Sequence, residues 1–365
     1  MPKHFDRATG VLGAASRRRG ARSHLCRRLL GFEVVRRTLF ACFSLLAACG
    51  GDFGSGSDAT VPPAPDAGIA DSAVPDAAPA DVPGDGVWTL VLRRIVVPDV
   101  PDPMATIDEV PGMNLDAFVT ETDRDPIGCA WVDWRAPARF VEVEGVDNQI
   151  PRVLDQIREI NADLDLGGDI QRAIDEGDVL IVLRVERIGH PTDDGEVDVS
   201  VFMSELTEPA VFETVTVAGQ PRTLLAPGQT FRPTADTLVD GRPRTFIRNA
   251  SLRGGRIHTP PGTSLSLRIP ARDGRVAVIE LQDLRIGGRV GDTRLEDALI
   301  AGYIRVDDVR TTVDSLELPD PPDPAFVDGV ASYYADVDVD GDPTVCEGIS
   351  LGLEVEGVAA ALELP

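Results

Sequence analysis

The sequence predicts a mainly β fold of the α+β class: an antiparallel β-sandwich-like domain with two or three short helices, preceded by a signal peptide and a disordered tether. Three observations predict it. Short runs rich in Val, Ile, Leu, Thr and aromatics recur from Trp88 to the C-terminus, separated by clusters of Gly, Pro, Asp and Ser. Few segments have helical spacing. Strands this numerous, with so few helices, pack as antiparallel sheets face to face.

The folded part is expected to span 87–365 as one domain. Trp88 to Val97 reads as the first strand, and 98–112 as a proline-broken loop. Residues 130–134 and 139–143 are short strand candidates. Ile150-Pro151 opens a helix, with Pro at a tolerated first-turn position, whose apolar face is Val153, Leu154, Ile157, Ile160 and Leu164. A second helix, 168–176, ends at Gly177, as helices often do. Val179-Leu180-Ile181-Val182-Leu183-Arg184-Val185 is expected to be buried on both faces, whereas Val197 to Val201 alternates as a half-exposed strand does. Further strands are expected at 211–217, 244–258, 265–269, 276–286 and 301–306, a helix at 307–316, and a closing strand at 349–356. Leu252-Arg253-Gly254-Gly255-Arg256-Ile257 is echoed by Leu284-Arg285-Ile286-Gly287-Gly288-Arg289-Val290. Glycine pairs within strands read as bulges or bends rather than as a repeat.

The N-terminal part has another character. Arg36-Arg37 precedes an apolar run, Thr38 to Ala48, that ends Leu46-Ala47-Ala48-Cys49. A basic head, a short apolar middle and small residues describe a secretory signal. The run is shorter than the about 20 apolar residues a membrane-spanning helix needs. Its ending resembles the lipobox of bacterial lipoproteins, a resemblance that implies lipidation at Cys49, removal of 1–48, and a membrane anchor of lipid rather than protein. The expected location is the cell envelope, the outer membrane in preference to the inner. Val35-Arg36-Arg37-Thr38 would make an ordinary signal start, so translation is expected to begin downstream of Met1. Residues 49–86 are dominated by Ala, Pro, Asp, Gly and Ser and are expected to be a disordered tether.

Composition excludes several chemistries. The chain has a net charge of −25. Residues 1–48 hold ten basic and two acidic side chains, so their removal leaves 25 basic against 58 acidic, a net charge of −33. Such a surface repels nucleic acid and suits divalent cations or basic partners. Lys3 is the only lysine, which removes Walker and Schiff-base lysines from the mature chain. His190 and His258 are its only histidines, each beside a turn, with no HExxH or GxSxG motif, so neither is expected to be catalytic. Cys129 and Cys346 are the cysteines left once Cys49 is lipidated, and in an oxidising compartment an even pair is expected to form a disulfide.

One motif carries chemistry. Asp336-Val337-Asp338-Val339-Asp340-Gly341-Asp342, followed by Glu347, fits the D-x-D-x-D-G-x5-E calcium loop. Alternate carboxylates curl around a hard cation, Gly allows the sharp turn, and the last Glu closes the shell. Asp336, Asp338, Asp340 and Glu347, with the Asp342 carbonyl, are the expected ligands. Pro343 and the flanks argue against a helix–loop–helix EF-hand, because Ala331 to Ala335 does not read as helix and the downstream flank reads as strand.

The layout is similar to a group of uncharacterised myxobacterial-type envelope lipoproteins. The resemblance rests on the lipobox, the Ala/Pro/Asp tether, Val146-Asp147-Asn148-Gln149 before a helix, and the closing Asp336, Asp338, Asp340, Gly341, Cys346, Ile349 and Ser350. It implies no activity. The leading expectation is a binding or structural lipoprotein with a protein or carbohydrate partner. The alternative is a carbohydrate-active hydrolase or binding module, for which Asp133 between Trp131 and Trp134 is the most suggestive spot. Core packing is the plainer role for those rings.

Overall fold

The apolar runs that the sequence offers as strands find their partners around a closed ring. The computed structural model describes residues 86–100, 109–117, 119–120, 131–140, 145–160, 165–217, 219–270, 276–315, 323–341 and 345–365. The signal region, Cys49, the tether, Cys129 and Asp342 lie outside them. The strands are β1 (Trp88–Val96), β2 (Leu180–Glu186), β3 (Asp194–Leu206), β4 (Phe212–Val217), β5 (Gln220–Leu225), β6 (Gln229–Pro233), β7 (Leu238–Val239), β8 (Arg242–Pro243), β9 (Thr245–Arg253), β10 (Arg256–His258), β11 (Leu265–Pro270), β12 (Val276–Val290), β13 (Arg294–Arg305) and β14 (Gly348–Leu362). The α-helices are α1 (Ile150–Ile160), α2 (Leu166–Glu176), α3 (Val306–Ser315) and α4 (Pro324–Tyr334).

The β-rich α+β class is as expected. The faces that were to pack as a sandwich belong to one sheet curled into a barrel-like core. Pairing runs β1–β2–β3–β9–β10–β12–β13–β14 and returns to β1, antiparallel throughout. Closing the ring hides strand edges that would otherwise stand open. β6 bridges β3 and β14 at one end, running parallel to β14, and β11 extends β12. Trp88, Phe202 and Phe231 are the largest fully buried side chains of the interior. Burying side chains of this size contributes roughly 1.5–3 kcal/mol each and holds the ring shut.

Several elements differ from expectation for identifiable reasons. β2 is buried on both faces from Leu180 through Leu183, as read, and half-buried at Arg184 and Glu186, which pair at 3.0 Å. β3 is buried from Val197 through Ser204 despite its alternation, and its Asp198 pairs at 3.2 Å with exposed Arg187. The run 244–258 is a hairpin, since Gly254 and Gly255 take φ of +57° and +72° and turn the chain. Gly287-Gly288 is a bulge within β12. A Cβ on Gly288 would lie 2.5 Å from the Cα of Ala298. In place of strands near 130–143, the described residues make isolated bridges, Trp134 with Val146 and Glu109 with Arg135. α2 ends at Gly177, in the left-handed region at φ +83°. α4 was not expected, so the upstream flank of the acidic loop is helical after all. Asp323 caps it by accepting from the Ala325 amide at 2.8 Å, and Pro324 opens its first turn.

Candidate functional site

The site grows from the start of β14. α4 ends at Tyr334, and the chain bridges immediately onto β14 through Val337 and Gly348. The Asp336 amide donates to Gly348 O at 2.8 Å, and the Gly348 amide donates to Val337 O at 3.1 Å. Val337 is buried against Leu115 and Ala301, which pins the loop that follows.

In that loop the Gly341 amide donates to Asp338 Oδ1 at 2.7 Å, and the Val339 amide donates to Glu347 Oε2 at 3.0 Å. Gly341 has φ +87°, a conformation that L side chains resist. The turn brings one oxygen each of Asp338, Asp340 and Glu347 within 4.8 Å of one another. Calcium–oxygen distances are about 2.3–2.6 Å, so oxygens facing each other across one ion stand about that far apart. Asp338 Oδ2 is buried with no hydrogen-bond partner among the described residues. The donor set fits a hard cation: three carboxylates, with an open acceptor aimed away from solvent.

Asp336, expected as the first ligand of this loop, is not among the three. It is 4% exposed and turned towards the barrel. Its Oδ1 accepts from the Ser350 amide at 2.8 Å, and its Oδ2 from the Ser350 hydroxyl. The backbone bridge to Gly348 fixes its peptide beside β14, so the side chain reaches Ser350 rather than the loop. Burial raises its pKa to about 7, against the lowering effect of the Ser350 hydrogen bonds.

Asp336 faces a second group of polar residues supplied by 109–149. Asp147 is 2% exposed and accepts from the Leu115 amide at 2.6 Å. Asn148 Nδ2 donates to Pro111 O at 2.7 Å and to Gly352 O at 2.9 Å. The Gln149 amide donates to Ser350 Oγ at 3.0 Å. Gln149 is 1% exposed, and its Oε1 has no partner among the described residues. Arg285 donates to Asn114 O and Leu115 O at 2.6 Å each, clamping the same segment onto the barrel wall. Burial, followed by the charges of Asp336 and Asp116, holds Asp147 well above the ordinary carboxyl range. Asp133 accepts from the Thr120 amide at 2.5 Å, and burial pushes it up to about 6 with help from the Asp116 charge. Asp147 lies close enough to Asp133 for the Asp133 charge to be one of the influences that raise Asp147, and the two carboxyls titrate as neighbours.

The aromatic residues beside Asp133 are engaged within the protein. The Arg152 guanidinium lies 5.0 Å from the Trp131 ring centre and 4.1 Å from that of Trp134. Tyr334 stacks on Trp131 at 5.8 Å, and Tyr333 meets it edge-on at 5.4 Å. Trp131 Nε1 donates to Tyr333 O at 2.8 Å. Trp134 is buried and donates to Asn148 O at 2.9 Å. These rings join 131–134 to α1 and α4, and Trp134 has the packing role.

His190 sits in an exposed turn, its Nδ1 facing the Thr192 and Asp193 amides. His258 has a lowered pKa from burial and from Arg256 and Arg253. Cys346 is half-buried beside Glu347. Among the described residues, no helix is long and apolar enough to cross a membrane. Sequence reasoning gave no role to Asp116, Asp147, Asn148 or Gln149. The only signal was a run of three polar residues set directly before a helix. Comparison with known protein families, curated proteins and solved structures returned no match.

Proposed function

We propose that the chain is a cell-envelope lipoprotein, anchored through Cys49, whose barrel-like domain carries a calcium-braced loop and serves a binding or structural role. The convergence of Asp338, Asp340 and Glu347 within 4.8 Å, with Asp338 Oδ2 left without a partner, carries the calcium part of this reading. The ligand set is Asp338, Asp340 and Glu347 with the carbonyl of Asp342. Asp336 supports the loop from behind. The Cys129–Cys346 bridge belongs to the same proposal and rests on the even pair of cysteines left once Cys49 is lipidated. The anchor rests on the lipobox alone. Thermal melting with and without millimolar calcium tests the loop, and mass spectrometry of the mature N-terminus tests the anchor. Unchanged melting together with no heat of calcium binding would remove the ion from this reading. An unmodified N-terminus away from Cys49 would remove the lipid.

A second reading, a carbohydrate-active hydrolase, is favoured by one observation. Asp133, at about 6, is paired with a second raised carboxyl, as a general acid near neutral pH would be. Against it stand Trp131 and Trp134, whose rings are taken up by Arg152 and Tyr334 rather than offered to a sugar. Hydrolysis of a polysaccharide panel, lost in Asp133→Asn with unchanged melting, would establish this reading. Inactivity on the panel would leave the binding or structural role.

A further inference from the structure

A second feature of the barrel lies away from the acidic loop. Where β9 begins at Thr245, the wall between β3 and β11 holds a surface cavity of about 160 Å³. Asp236, Thr237, Arg244, Ser266 and Arg268 line it. Behind it is a smaller chamber of about 60 Å³. Ile181, Met203, Leu267, Leu281, Ile300 and Leu353 are among its walls. Leu265 and Arg268 line both, so the two spaces adjoin with only those side chains between them.

The charges at the mouth do not cancel. Arg268 pairs with Asp236 at 3.3 Å. Asp236 is held ionised, its pKa lowered by a hydrogen bond from Thr234 and by Arg268. Arg244 is exposed and has no ion-pair partner among the described residues. Two guanidiniums against one carboxylate leave a single net positive charge, on a chain whose overall charge is −25. A cationic mouth over an apolar chamber is the chemistry of an anionic amphiphile site: the guanidinium fork takes a carboxylate, and the chamber takes the chain behind it. One water-sized group needs about 10–15 Å³ on this volume scale, so the chamber takes about four or five methylenes in single file. That is room for one short chain and excludes a two-chain lipid. The single uncompensated charge fits a monocarboxylate better than a phosphate.

We propose that this cavity binds a medium-chain monocarboxylate of the octanoate type, with its carboxylate at Arg244 and Arg268 and its chain in the chamber behind Leu265. The test is calorimetry of butyrate, hexanoate, octanoate and dodecanoate at neutral pH. The sample is the full chain carrying Cys49→Ser, so that no attached acyl group competes. Octanoate is expected to bind saturably at one per chain. Affinity should rise about fourfold per methylene up to octanoate and level off by dodecanoate, once the chamber is full. Arg244→Glu, an exposed change that leaves melting unaltered, should weaken octanoate at least tenfold. Absence of saturable binding overturns the proposal. So does equal binding by Arg244→Glu, by neutral octanol, or more tightly by octyl phosphate. None of these outcomes depends on calcium or on the lipid anchor.

Discussion

Asp336 turns inward onto Ser350, whereas Asp338, two residues on, turns outward towards Asp340 and Glu347. The two positions belong to neighbouring groups of carboxyls that meet the same repulsion differently. Asp147 and Asp336 are buried and Asp133 is half-buried, and all three carry raised pKa values, so protons and backbone amides quiet them. Asp338, Asp340 and Glu347 stay half-buried or exposed, with an acceptor left over, and are suited to a cation. Burial and the supply of donors, not residue type or spacing, decide which solution a carboxyl takes. Asp116 touches both groups, lying 3.5 Å from the Asp338 amide and adding its charge to Asp133 and Asp147.

The inner group can be broken most severely at Asp336. Asp336→Ala leaves the Ser350 amide and hydroxyl without their acceptor in a buried place. Each orphaned donor costs about 1–3 kcal/mol, and the hydroxyl can re-aim, so the expected loss is about 3 kcal/mol by urea denaturation. Asp336→Asn keeps one acceptor and should lose less. An Asp336→Ala protein as stable as wild type would show the inner contacts to be idle.

The same group should make stability fall with rising pH. Asp336 is raised from 3.8 to about 7 and Asp133 to about 6, so the folded state holds protons that the unfolded state has released. Stability then declines from about pH 4 to about pH 7 and flattens above, by an amount on the order of 4 kcal/mol dominated by buried Asp336. Melting measured across that range in EDTA checks the sign. Asp336→Asn should flatten most of the slope. A rise through the window would mean that these carboxyls are stabilised as anions instead.

Calcium should act on the outer group alone. With an affinity in the 10⁻⁴–10⁻³ M range of extracellular modules, 10 mM calcium is expected to stabilise the wild type by about 2 kcal/mol. Asp338→Ala should abolish the gain, and Asp336→Asn should keep it. Equal loss in both variants would merge the two groups into one site and restore Asp336 as a ligand.

What the sequence disclosed follows the distance between partners along the chain. Asp338, Asp340 and Glu347 lie within one loop, and their spacing was readable because a tight turn is a local event. The inner group joins Gln149 to Ser350 across 201 positions and Asn148 to Gly352 across 204, and no local pattern encodes such contacts. The same holds for the fold. The run 179–185 announced a strand buried on both faces because every residue in it but Arg184 is apolar. The hairpin at Gly254-Gly255 was hidden because strand-like residues continue on both sides of its two-residue turn. α4 went unread although Asp323-Pro324 is a cap followed by a first-turn proline. The proline-rich stretch before it masked the signal.

The finest separation of the two groups comes from Gly341. It holds φ +87°, and a Cβ there would meet nothing within 4 Å, so Gly341→Ala costs only backbone strain, about 1 kcal/mol. Relief of that strain would open the turn that aims the Gly341 amide at Asp338 Oδ1 and brings Asp338 towards Asp340 and Glu347. The variant should therefore respond less to calcium than wild type while keeping its full pH slope, since no inner carboxyl touches the turn. Melting with and without calcium, and across pH 4–7 in EDTA, reads both quantities on one protein. A diminished pH slope in Gly341→Ala would mean that strain in the outer loop passes through Val337 into the inner group, and the two would then have to be treated as a single coupled network.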